Sequence, residues 1–127
     1  MATIRREGDE LVVKLNDLEK LGAVRGDVRV PVSKVLSVKA VNRPLREVRG
    51  LRAPGTGLPG VIALGTWRGS AAGKTFVAAY RGEPGVVVDL SGTGFARLIV
   101  STHDAAHVAE LLRDDLVPRS SAGEAEH

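Results

Sequence analysis

The chain has 127 residues, 43% of them hydrophobic and 26% charged, with a net charge of +3. This is the size and composition of a single globular domain able to bury about two thirds of its unfolded surface. Cysteine is absent, which excludes disulfide scaffolds, thiolate nucleophiles and cysteine-ligated zinc. The opening Met1–Glu7 segment runs into charged Asp9 and Glu10 without an apolar stretch, so the sequence predicts neither a signal peptide nor a transmembrane segment and points to the cytoplasm.

In chain order, Thr3–Arg6 and Glu10–Leu15 predict a first hairpin around Glu7, Gly8 and Asp9, with Leu11, Val13 and Leu15 alternating as on a half-buried strand. Asn16 precedes Asp17, Leu18 and Glu19 with the spacing of a capped helix start, which predicts a short helix from Asp17 to Leu21 stopped by Gly22. Val28–Val30 and Ser33–Val41 follow as strands, with a sheet edge or corner at Pro31. In the second of these, alternation sets Val35, Ser37, Lys39 and Val41 against Leu36, Val38 and Ala40.

Arg43, Arg46, Arg49 and Arg52 then recur every third residue, with Leu45, Val48 and Leu51 beside them. Pro44 suits the first position of a helix and Gly50 the residue after its end, so one or two helical turns are expected from Pro44 to Arg49. Leu45 and Val48 would form an anchoring stripe, and Arg46 and Arg49 a charged one beside it. The stretch Ala53–Gly60, with two prolines and three glycines, predicts a turn-rich loop.

Val61–Trp67, Lys74–Tyr80, Gly85–Leu90 and Phe95–Val100 are β-rich runs joined by short glycine-rich connections, the pattern of an antiparallel meander. A last amphipathic helix is expected from Asp104 to Leu116, with Ala105, Val108, Ala109, Leu112 and Leu116 inward. The reading is one domain over residues 1–117 and a polar, mobile tail over 118–127.

Three motif-like stretches fail on context. Gly69–Thr75 has one residue too few between its glycines for a phosphate-binding loop and is followed by a strand-like run instead of a helix. Gly55–Gly60 fits a dinucleotide fingerprint by letter, but Pro54 and Pro59 deny the flanking strand and helix; turn geometry accounts for its glycines. His103 and His107 lie four apart, as zinc ligands on one helix do, yet His127 is the only other histidine and helix capping explains the pair. No catalytic, cofactor-binding or metal-ligating residue is assigned, and no cofactor is expected.

Charge gives the strongest functional pointer. From Lys39 to Arg81 there are eight basic residues against Glu47 alone, so the rest of the chain is net acidic. Such asymmetry favours anionic partners. Arg43, Arg46, Arg49, Arg52 and Arg68 are the candidate anion-binding residues, and Trp67 is an anchor beside them only if it is exposed. Aromatic residues make up 3% of the chain, which leaves few stacking platforms and argues against nucleic acid.

The stretches Val28–Val38, Arg49–Gly57 and Leu64–Arg68, on a chain of β-runs closed by one amphipathic helix, resemble a family of small bacterial proteins of the pleckstrin homology class. The resemblance spans nearly the whole chain. It implies a mainly β (α+β) fold, an antiparallel barrel or sandwich of about seven strands capped by the C-terminal helix. It also implies a non-enzymatic binding or scaffold module that can be oligomeric. With the charge pattern, the expectation is recognition of a phosphate, an acidic protein segment or a lipid headgroup through the basic loop at 43–60, with a protein partner ahead of an anionic lipid surface. The alternative is a self-associating structural protein with Leu51 and Leu58 as contact residues.

Overall fold

The computed structural model describes residues 1–23, 26–48, 61–68 and 73–114, and the backbone of 51–58 and 115–116. Strands β1 (Thr3–Glu7), β2 (Glu10–Lys14) and β3 (Val28–Pro31) form an antiparallel sheet in that order. Alternation sends Ile4, Leu11, Val13, Val28 and Val30 to one face, where all are buried. On the other face Arg5 and Arg29 flank Val12, and Glu7 pairs with Arg5, Lys14 and Arg29. The Arg5 hydrogen bond holds the Glu7 carboxyl below its ordinary value.

Helix α1 (Asp17–Ala23) starts with the expected reciprocal cap. Asn16 Oδ1 accepts from the Glu19 N–H at 2.8 Å, and Glu19 Oε1 accepts from the Asn16 N–H at 2.9 Å. The helix runs through Gly22 instead of stopping there. Interior glycine costs a helix about 1 kcal/mol, which the fully buried Ala23 offsets by docking in the core.

Pro31 is a corner, as expected: a 3-10 turn, Val32–Lys34, leads from it into the second sheet. That sheet comprises β4 (Val35–Val41), β5 (Leu51–Leu58), β6 (Ile62–Arg68), β7 (Lys74–Tyr80), β8 (Gly85–Leu90) and β9 (Arg97–Ser101), in the order β4-β8-β9-β7-β6-β5. The fold is mainly β with a C-terminal helix, but neither sheet closes into a barrel. Nor do the last strands form a meander. β9 lies between β7 and β8, parallel to the first and antiparallel to the second. Both hydrogen-bonding edges of the most apolar of these runs are thereby filled, and Leu98, Ile99 and Val100 are fully buried.

Two local expectations are corrected. Residues 53–58 belong to a strand, because β5 is an edge strand and its register with β6 is interrupted between Arg52 and Gly55, where Pro54 can sit without a ladder bond. In β4 the register shifts between Val35 and Ser37, so Leu36 is an extra residue, 65% exposed. Val35 therefore packs with the core that also holds Val38, while Val41 packs on the opposite face.

The second sheet is apolar on both faces. Its inner face carries Val38, Leu64, Phe76, Val86, Val88 and Leu98 against the first sheet and against helix α2 (Ala105–Leu116), which buries Ala105, Ala109 and Leu112 as predicted. Phe76 and Phe95 meet edge to face, with centroids 6.1 Å apart. Its outer face carries Ala63, Trp67, Val77, Ala79, Val87 and Ile99. The connection from β4 to β5 joins the two edges of the sheet and so must cross about 24 Å of strand spacings. Its 3-10 turn, Pro44–Glu47, contacts β7, β8 and β9 on the way.

Candidate functional site

This crossing connection sets the position of the first arginines. The expected helix from Pro44 to Arg49 is a single 3-10 turn, closed by the Arg46 N–H to the Arg43 carbonyl at 3.0 Å. Leu45 and Val48 are the predicted anchors: both pack on the outer-face cluster. Pro44 is buried against Gly85, where an added Cβ would lie 2.5 Å from the Val100 carbonyl oxygen and 3.1 Å from Pro44 Cγ. A bare backbone at position 85 thus lets the turn sit down on the sheet. With Leu45 held inward, Arg43 and Arg46 are left exposed.

Facing them is the connection from β7 to β8, Arg81–Pro84, which must pass over the end of β9. The Arg81 N–H bonds to the Val61 carbonyl at 2.8 Å, the Glu83 N–H to Tyr80 at 3.3 Å, and the Thr102 N–H to Pro84 at 2.9 Å. Gly82 makes the turn with φ +84, a conformation that favours glycine. Between the two connections lies a cavity of about 710 Å³ lined by Arg43, Arg46, Arg81 and Glu83, with Leu45 and Pro84 among its apolar walls. Three guanidiniums and one carboxylate leave it net positive. Planar guanidinium forks match carboxylate and phosphate oxygens two at a time.

The remaining candidates are not gathered there. Arg68 is exposed at the far end of β6, paired in register with Lys74, while Ile62 and Tyr80 mark the end beside the cavity. Six residues of strand separate the two, about 20 Å. Arg52 pairs in register with Trp67, also toward the far end, and Arg49 lies outside the described residues. Trp67 is buried on the outer-face cluster, so it is a core residue and not an exposed anchor. His103 precedes α2, with its Nδ1 3.0 Å from Glu83 Oε1, and His107 is exposed on the helix. The residues 118–127 lie outside the description.

Sequence reasoning missed Arg81 as a site residue, together with the group on the other side of its turn. A second cavity, of about 510 Å³, shares Tyr80, Arg81 and Glu83 with the first and is lined further by Leu18, Ile62 and Leu64. At its base the Glu19 carboxylate, 2% exposed, accepts the Tyr80 hydroxyl hydrogen bond. Burial, reinforced by that carboxylate, pushes the Tyr80 hydroxyl well above its ordinary value of 10.0. The only signal in the sequence for Glu19 is its place in the helix cap, which fixes the backbone and not the partner 61 residues away.

Comparison with protein-family models, with curated proteins and with solved structures returns no match to this chain.

Proposed function

We propose that the protein is a non-enzymatic binding module of the cytoplasm that takes an anionic group into the cavity between the β4–β5 and β7–β8 connections. The observation that carries this reading is the convergence of Arg43, Arg46 and Arg81, from two separate segments, on one cavity walled by Leu45 and Pro84. Apolar walls lower the local dielectric and strengthen the attraction of the guanidiniums for an anion. The C-terminal helix packed on a mainly β body supports the relation to the pleckstrin homology class; the open sheets and the parallel β7–β9 pair depart from that pattern.

Pyrophosphate is a suitable probe, titrated by calorimetry across a salt series. Arg43→Glu/Arg46→Glu is expected to weaken binding at least about tenfold, whereas Arg68→Glu changes it less than about twofold, and salt weakens the wild type. Equal losses in the two variants would place the anion elsewhere.

A second reading, self-association, is favoured by one observation: β5, which carries Leu51 and Leu58, is an edge of the six-stranded sheet. Edge strands offer unpaired backbone groups to another chain. A monomer by light scattering at high concentration would remove it.

A further inference from the structure

The two cavities on either side of the Tyr80–Pro84 turn differ in charge balance. Arg43, Arg46 and Arg81 make the first positive. The second is walled by Leu18, Ile62 and Leu64, and its carboxylates, Glu19 and Glu83, are offset by Arg81, shared with the first cavity, and by the Met1 amino group 4.0 Å from Glu19, with His103 also on its wall. Leu18 on its wall is 79% exposed, and Leu21, one turn further along α1, and Val61, next to Ile62 in the chain, are 76% and 42% exposed. An exposed leucine on the wall of a cavity is a binding signal more than a solubility one, because uncovered apolar surface of this kind is costly without an occupant.

We infer that the two cavities form one bipartite site for an acidic peptide segment, in which an acidic side chain enters the arginine cavity and an adjacent large apolar side chain enters the leucine-lined one. This rests on the reading of the arginine cavity as an anion site. Consecutive side chains of an extended peptide point to opposite sides, so neighbouring residues laid over the turn fall into different cavities. The charges choose between occupants. An anionic bilayer surface would press its headgroups against the Glu83 carboxylate, which lines both cavities, as well as against the arginines. A peptide brings a single acid to the arginines, and its backbone N–H groups are donors for the Glu83 carboxylate and the Asn16 side chain at the rim of the second cavity.

The test is fluorescence polarisation with a labelled, C-terminally amidated heptapeptide, Gly-Ser-Leu-Leu-Glu-Glu-Gly. Replacing its leucines by serine, or its glutamates by glutamine, should each weaken binding at least about tenfold, since apolar anchors and desolvated charges dominate such contacts. Leu18→Gln, at a position exposed enough to leave folding intact, should weaken the parent peptide while leaving pyrophosphate binding unchanged. A serine peptide that binds as tightly as the leucine one would overturn the bipartite site and leave the anion site standing. Failure of both the peptide and pyrophosphate to bind would remove both readings. Phosphatidylglycerol vesicles that displace the peptide, and bind more weakly to Leu18→Gln, would show a membrane surface as the occupant and overturn the peptide assignment.

Discussion

The two ends of the β6–β7 pair carry basic residues of the same stretch of sequence and meet different fates. At the Ile62–Tyr80 end, Arg81 is met by Arg43 and Arg46 because the β4–β5 connection is pinned across the outer face by Pro44, Leu45 and Val48. At the other end Arg68 and Lys74 face each other in register on neighbouring strands, and Lys74 lies 5.3 Å from the centroid of the Phe95 ring. One end has a cavity with walls from two connections; the far end has charges on the edges of a packed core. Arginine in a run becomes a site only where apolar neighbours hold its backbone against something.

That contrast can be broken at several levels. The largest effect on stability is expected at the far end, where Trp67→Ala removes the largest side chain of the outer-face cluster. A loss of about 3–5 kcal/mol in chemical denaturation is expected, with anion affinity of the folded fraction retained. Gly85→Ala acts at the other end: the new methyl group meets the Val100 carbonyl and Pro44. It should cost about 1–3 kcal/mol and, unlike Trp67→Ala, weaken pyrophosphate binding by displacing the turn that carries Arg43 and Arg46. Equal binding by the two variants would show that the pinned turn does not set the site.

The smallest effect is a pH dependence. Tyr80 holds its proton more tightly folded than unfolded, so its contribution to stability is complete below its unfolded value of 10.0 and declines as pH rises above it. Tyr80→Phe should flatten the stability profile above pH 10, because phenylalanine has no hydroxyl to ionise. A slope that persists in the variant would assign the loss to other groups.

Much of this was legible in the sequence where the signal is local. The Asn16–Glu19 cap, the inward stripe of α2, the corner at Pro31 and the anchoring role of Leu45 and Val48 each follow from spacings of one to four residues. What could not be read is pairing between distant segments. Nothing near Arg97 says that β9 inserts between β7 and β8, and that insertion is what sends the β7–β8 connection over the strand end and brings Arg81 opposite Arg43. Residues 53–58 misled for a related reason, since proline and glycine rule out a central strand but not an edge strand with a register break at Pro54. The five arginines nominated from the charge pattern therefore divide: Arg43 and Arg46 reach the cavity, while Arg68 lies at the opposite end of its strand.

The most direct test of the account is nitrogen–proton NMR of the labelled protein titrated with pyrophosphate. Shifts are expected at Arg43, Arg46, Arg81 and Gly82, with Arg68 and Lys74 unmoved. Shifts centred on Arg68 and Lys74, with the Arg43–Arg46 turn silent, would contradict it.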